Sequence, residues 1–394
     1  MLSLVFEDSH AGRVTSQRND ARRRRMAGAP SLLSRVLCGG VFFAALCACG
    51  GDDGDTETVT LADSGSLTAL TGRTLDIPTT VAVRSDVAGG RDVAWVAESQ
   101  FDHYLPFGGV GSPGPFRIIG VPLAGDPQAL FIALPPNFFP EGITAAPSGR
   151  LYVGSVADGT ILTVGPTSTT AEPFLPAGTL DKPSVVGMAV SGDGGILWVC
   201  NTVTSPPDGA LSTAAIIGLG ASDRQIKAKH ELPASAAGAF CNDIVIADNG
   251  TLWATESFGG RLFRIPPAEL LQNTPATVWL QASELSGPNG PAAGQFGANG
   301  LALVSGKLFV VNSSRGKLYS IDPTLAQPAS VDLHPVELSE SGVTGNVLLA
   351  NPDGITKVSN TELLVVENGF FVDAAGAVVD RGGKRLIRVS LDTQ

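Results

Sequence analysis

The sequence predicts an all-β fold: a six-bladed β-propeller of four-stranded antiparallel blades, its ring closed by an N-terminal strand. Three observations carry this. A bulky residue inside a short apolar strand that ends in polar groups recurs six times, in "VAWVAES", "RLYVGSV", "ILWVCNT", "TLWATES", "KLFVVNS" and "ELLVVEN". The bulky positions Trp95, Tyr152, Trp198, Trp253, Phe309 and Leu364 are 46 to 57 residues apart, a period expected of a blade repeat. The composition is apolar and turn-rich, with 43% apolar residues, 48 Gly and 27 Pro, and no helical period is sustained beyond the N-terminus.

Taken in chain order, residues 1–48 stand outside the fold. "ARRRRMAGAPSLLSR" is a basic leader, and the apolar stretch "VLCGGVFFAALCA" is too short to span a bilayer but suits a secretion signal. Met26, directly after the arginines, is an alternative start with the same cleavage point. The stretch ends on "LCAC", which resembles a bacterial lipobox and makes Cys49 the lipidation site; an ordinary signal peptide that happens to contain cysteines is the other reading. Residues 49–56, including the acidic "GDDGD", read as a tether, and 57–394 as the propeller. The chain is therefore expected to be exported and held at the bacterial cell envelope by its lipid alone.

Within the propeller, each repeat begins with an apolar strand about ten residues ahead of the bulky one: "TTVAV", "EGITA", "VGMAV", "NDIVI", "NGLAL" and "DGITK". A third strand follows, as in "TILTV", "RLFRI", "KLYSI" and "RLIRV", and a fourth, as in "AEPFLP", "ATVWLQ" and "SVDLHPVEL". Four strands between Gly, Asp, Asn and Pro turns make a propeller blade. The sixth repeat is one strand short, because the chain stops after "KRLIRVSLDTQ". Residues 58–70, "TVTLADSGSLTAL", are predicted to supply that outer strand and to cover the edge otherwise left open.

Charge narrows the partners. Residues 1–48 carry seven arginines and three acids, so their removal takes the formal charge from −11 to −15. Such a chain offers no basic face for nucleic acid or anionic lipid. It is expected to act as a monomer on a small molecule. Two cysteines remain besides Cys49. Cys200 and Cys241 make no C-x-x-C pair, and their strand ends fall on one face of neighbouring blades, where a disulfide could form.

The innermost strand of each blade lines the channel. The residue just ahead of it, read through the six repeats, is Thr79, Glu141, Val186, Asn242, Asn299 and Asp353. Four of these offer carboxylate or amide oxygens, two of them carboxylates. Calcium takes about six to eight oxygen ligands, with carboxylates to balance its charge. No histidine or thiolate falls in this register. Turn chemistry accounts for any one Asn-Gly, Asp-Gly or Asn-Asp pair; four in register favour a metal site, with coincident turns as the other reading.

The segments "FPEGI", "FCNDIVIADNGTLWATES", "GANGLALVSGKLFVVNSS" and "NPDGITKVSNTELLVVEN" resemble the metal-site segments of the gluconolactonase family, which includes the senescence marker protein regucalcin. The resemblance implies a divalent metal at the centre of a six-bladed propeller and lactone hydrolysis. Its ligands here would be Glu141, Asn242, Asn299 and Asp353, with Asp353 also the general base. Calcium is the first expectation for the ion, with manganese, magnesium and zinc as alternatives; the substrate would be a lactone or another ester. Two departures stand out. Phe240 occupies the place where sugar-lactone members have an arginine, and Ile244 follows the Asn-Asp pair where glycine is usual.

Polar residues at the ends of the second strands, Glu98, Ser155, Asn201, Glu256, Asn312 and Glu367, form a candidate substrate rim, or else hydrated strand ends. "GVGSPG" at 109–114 matches G-x-G-x-x-G, but proline interrupts it and no helix follows. No G-x-S-x-G is present. His103 lies in an insertion, "FDHYLPFGGVGSPGPF", expected to overhang the ring mouth. A non-catalytic propeller, stiffened by its metal and binding a ligand or protein partner, is the competing functional reading.

Overall fold

The computed structural model describes residues 59–70, 75–85, 92–107, 109–124, 129–204, 210–290, 295–372, 378–380 and 382–394. The leader, Cys49 and the tether lie outside the described residues. The chain from 57 to 394 forms one compact unit.

After β1 (Leu61–Ala69), blade one comprises β2 (Pro78–Ser85), β3 (Asp92–Glu98), β4 (Arg117–Pro122) and β5 (Leu130–Ala133). Blade two is β6 (Pro140–Ala145), β7 (Leu151–Ser155), β8 (Ile161–Val164) and β9 (Ala171–Leu175). Blade three is β10 (Ser184–Val190), β11 (Ile196–Thr202), β12 (Ala214–Gly220) and β13 (Ile226–Glu231). Blade four is β14 (Cys241–Ile246), β15 (Leu252–Glu256), β16 (Arg261–Ile265) and β17 (Thr277–Gln281). Blade five is β18 (Ala298–Val304), β19 (Lys307–Asn312), β20 (Lys317–Ile321) and β21 (His334–Pro335).

Blade six contains β22 (Glu337–Glu340), β23 (Pro352–Lys357), β24 (Glu362–Glu367) and β27 (Arg385–Thr393), with the hairpin β25 (Phe370–Val372) and β26 (Val378–Asp380) inserted before the last. Its strand order is β22-β1-β27-β24-β23. The N-terminal strand closes the ring as expected, running antiparallel to β27 with Leu67 opposite Val389. One detail differs from the sequence reading. "SVDLHPVEL" is not a single outer strand: His334–Pro335 ends blade five, and Glu337–Glu340 crosses to lie parallel on β1. Proline has no N–H to continue a ladder, so the break falls beside Pro335. The crossing strand also covers the edge that β1 would otherwise expose.

Six apolar clusters hold the ring together, one between each pair of neighbouring blades. The recurring bulky residues sit in them, each no more than 3% exposed. A single blade is apolar on both faces and must stack on two neighbours to bury them. That requirement is why the repeat period, and not any one strand, specifies the ring.

All six inner strands share an irregularity at one level. Pairing to the second strand shifts register between Pro78 and Val81, Pro140 and Ile143, Val185 and Met188, Cys241 and Ile244, Ala298 and Leu301, and Pro352 and Ile355. Bulges re-aim side chains, and each of these contains the ring position. Those residues are therefore not ahead of the inner strands, as the sequence suggested, but inside them.

Candidate functional site

Thr79, Glu141, Val186, Asn242, Asn299 and Asp353 occupy the six bulges, all of them buried. Blades approach closely here. A Cβ on Gly142 would stand 2.0 Å from the Val186 carbonyl oxygen, and one on Gly300 2.4 Å from that of Asp353. Two residues before three ring positions, Ile77, Phe139 and Asn351 take left-handed φ values of 50°, 44° and 51°. For a β-branched residue such as Ile77 this conformation is strained, and strain of this kind is held only where the surroundings enforce it.

Four of the ring side chains bring carboxylate or amide oxygen to this level, and partner accounting separates them. Asn242 donates from Nδ2 to Ser257 Oγ at 2.9 Å, and Asn299 from Nδ2 to Ser313 Oγ at 2.9 Å. Asp353 accepts from Asn368 Nδ2 at 2.6 Å. Asn299 Oδ1 and Glu141 Oε2 are buried and have no hydrogen-bond partner. An orphaned buried oxygen is costly, and two at one level of a ring call for a common explanation. Thr79 is different: its hydroxyl turns sideways to Ser99 Oγ at 2.7 Å and the Glu141 carbonyl at 2.9 Å. Val186 brings no oxygen in its side chain.

The electrostatics agree. Burial pushes Glu141 well above the usual carboxylate range, and the charges of Asp353 and Asp243 push it further. Burial raises Asp353 to about 7; hydrogen bonds from Asn368 and Asn299 pull the other way, while Asp243 adds to the rise. Asp243 is itself raised to about 7 by burial, against hydrogen bonds from the Ile244 and Leu301 N–H groups. Three carboxyls are buried together here, Asp353 and Asp243 acting on Glu141 and Asp243 on Asp353, and no basic side chain contributes to any of the three shifts.

Asp243 was not among the sequence candidates. Its signal was available, since blades two, three, five and six have glycine at that place (Gly142, Gly187, Gly300 and Gly354) and blade four has a carboxylate.

The expected substrate rim is corrected by the structure. Glu98, Asn201, Glu256, Asn312 and Glu367 are buried and spend their polar atoms on the protein. Glu98 accepts from Asp76 N at 2.9 Å and Arg117 Nε at 2.6 Å. Glu256 accepts from the Phe240, Phe258 and Gly259 N–H groups and from Arg261 Nε. Glu367 accepts from Ala350 N and Arg385 Nε. Asn201 clasps the Lys182 backbone and the Ser184 carbonyl, and Asn312 the carbonyls of Glu284 and Ser286. Ser155 donates to the Phe138 carbonyl at 2.6 Å. These side chains brace turns within their own blades. In blades one, four, five and six the next residue, Ser99, Ser257, Ser313 or Asn368, is the one that reaches the ring.

Cys200 and Cys241 are joined by a disulfide between blades three and four, with Cα atoms 5.2 Å apart. Phe240 packs on Phe258 and, edge to face, on Phe296, with ring centroids 5.3 and 5.0 Å away. His103 contacts the Val110 carbonyl through Nδ1 at 2.6 Å, within its own insertion.

Among the described residues no group of three or more His, Cys, Asp or Glu side chains is placed to hold a metal ion. The donor set at the ring is instead mixed, two carboxylates and two amides. It fits a hard cation, because its two orphaned oxygens are the kind of ligand such an ion takes.

Comparison with known proteins bears on the fold. A regucalcin from Agrobacterium tumefaciens, described as a calcium-binding protein, superposes with a TM-score of 0.54 at 13% identity, over 84% of this chain and 97% of that one. The fold is a six-bladed propeller of the regucalcin kind. A luciferin-regenerating enzyme matches with a TM-score of 0.54 at 12% identity, over 83% of this chain and 95% of its own. The pyrroloquinoline quinone-bound aldose sugar dehydrogenase of Streptomyces coelicolor gives 0.51 at 15%, over 84% and 100%. The regucalcin-like propeller is thus an architecture that enzymes use. In sequence, residues 128–164 match the family of strictosidine synthase-like N-terminal domains, a stretch that includes Glu141. No curated protein matches the chain.

Proposed function

We propose that the chain is a hydrolase of the lactonase type that binds one divalent cation, calcium first among the candidates, in the central channel. The observation that carries this is the pair of buried, unpartnered oxygens, Glu141 Oε2 and Asn299 Oδ1, beside the raised carboxyl of Asp353. Glu141, Asn242, Asn299 and Asp353 would hold the ion. When bound, it would polarise the carbonyl of a lactone or ester and make a water molecule more acidic. Asp353, braced by Asn368 and Asn299, would be the group that accepts a proton from water at this level. Ser257 and Ser313 hold the amides of Asn242 and Asn299. The ring side chains are buried between closely packed blades.

Phe240 favours a second reading. It stacks against Phe258 and Phe296 and offers no charge to an anionic sugar lactone. An apolar lactone or ester satisfies it, and so does a cation-stiffened propeller without catalysis. A lactone and aryl-ester panel, run with calcium, manganese, zinc and chelator, separates the two. Turnover that needs the cation and is lost in Asp353→Ala supports the hydrolase; cation-dependent thermal stabilisation with no turnover supports the scaffold.

We also propose that the mature chain is exported and anchored at the cell envelope through Cys49, acting there as a monomer on a small molecule. The Cys200–Cys241 disulfide supports an oxidising compartment.

A further inference from the structure

Each of the four carboxylate and amide ring positions is preceded by a residue tied to the blade before it. Ser257 of blade four donates to the Ala298 carbonyl at 2.7 Å, immediately before Asn299. Ser313 of blade five donates to the Pro352 carbonyl at 2.7 Å, immediately before Asp353. Ser99 of blade one donates to the Pro140 carbonyl, immediately before Glu141. Cys200 of blade three is bonded to Cys241, immediately before Asn242. The counterexample lies in the same column. Blade two has Val156 there and offers no hydroxyl to the strand that carries Val186, the apolar ring position.

Two of these ties do more than join blades. A serine hydroxyl has one proton, and in Ser257 it goes to the Ala298 carbonyl, which can only accept. The contact with Asn242 Nδ2 must then be an amide N–H donating to Ser257 Oγ. Turning the Asn242 amide over would set its carbonyl oxygen against a hydroxyl oxygen with no proton left to give. Ser313 imposes the same choice on Asn299, whose Oδ1 is the buried atom left without a partner.

We infer that Ser257 and Ser313 are positioning residues for the cation: each dictates which end of its asparagine amide faces the channel, and links that choice to the backbone of the next ligand. The inference rests on the cation site proposed above. It makes the site a relay through three consecutive blades, from Asn242 through Ser257 to Asn299, and through Ser313 to Asp353. Supporting groups that orient metal ligands typically govern affinity about 10–100-fold.

The test is a calorimetric titration of the full-length mature chain with calcium and manganese, paired with melting curves in chelator. Ser257→Ala and Ser313→Ala should each weaken cation binding about 10–100-fold while shifting the cation-free melting temperature little. Ser257→Thr and Ser313→Thr, which keep the hydroxyl, should restore affinity. Thr202→Ala is the control, because Thr202 stands in the same column of blade three with a buried hydroxyl that has no partner; it should leave affinity unchanged. Wild-type binding with alanine variants no weaker than Thr202→Ala would overturn the positioning role and leave the cation site standing. Failure of the threonine variants to restore affinity would overturn it too. A wild-type chain that binds neither ion would remove both.

Discussion

Two sets of buried carboxylates lie one layer apart in this ring, and they have opposite accounts. Glu98, Glu256 and Glu367 end the second strands of blades one, four and six, and each is paired with the arginine that opens the third strand: Arg117, Arg261 and Arg385. Glu256 has four donors at 2.8–3.1 Å. Glu141 and Asp353, buried as deeply, have no basic partner among their contacts, and one oxygen of Glu141 has none of any kind. Both layers are buried, and both hold carboxylates. What distinguishes a brace from a binding site is whether the protein itself balances the charge.

The comparison can be broken by substitution. Removing one member of a buried, hydrogen-bonded ion pair strands the other, so Glu256→Ala should cost about 3–5 kcal/mol in denaturant unfolding and leave the intrinsic cation affinity of the folded fraction unaltered. Glu141→Gln should do the reverse, abolishing tight cation binding while leaving the cation-free protein as stable as wild type or more so. Equal destabilisation by the two would erase the distinction. The next largest effect is expected for the disulfide. It closes a sequence separation of 41 residues, for which loop-closure entropy suggests about 3–4 kcal/mol. Unfolding of Cys200→Ser/Cys241→Ser measures it, and a loss under about 1 kcal/mol would mean that the interface between blades three and four holds without it.

The smallest effect sharpens the electrostatic side. In the cation-free protein Asp243 and Asp353 are raised to about 7 and Glu141 also lies high. These groups keep protons that the unfolded chain has already released, so the native state binds more protons between the two ranges. Their contribution to stability is therefore greatest at acid pH and falls as pH rises from about 4 through about 7. Cation affinity should climb over the upper part of that window. The difference in melting temperature between wild type and Asp243→Asn, measured in chelator from pH 5 to 8, should grow in favour of the variant as pH rises. A constant difference would show that burial does not raise Asp243 in the folded protein.

Much of the architecture was legible because it is written six times. Trp95, Tyr152, Trp198, Trp253, Phe309 and Leu364 mark the blades by period alone, and the short sixth repeat required Leu61–Ala69. The ring positions were legible for the same reason, since Glu141, Asn242, Asn299 and Asp353 share one register. The rim was misread because strand alternation does not survive a bulge. The extra residue in each inner strand changes which partner faces the channel, and the reaching side chain is Ser257 rather than Glu256, Ser313 rather than Asn312. Pairing partners such as Arg261 for Glu256 also depend on contacts that no single repeat announces. The crossing of Glu337–Glu340 to blade six was hidden because it looks like the continuation of an outer strand.

Side chains from four blades are proposed to share one ion on the ring axis. Anomalous diffraction from crystals of the mature chain soaked in manganese tests it most directly. A single strong peak is expected on the axis, within about 2.0–2.6 Å of oxygens from Glu141, Asn242, Asn299 and Asp353. A channel with no peak at that level, or with density held by other residues, would contradict it.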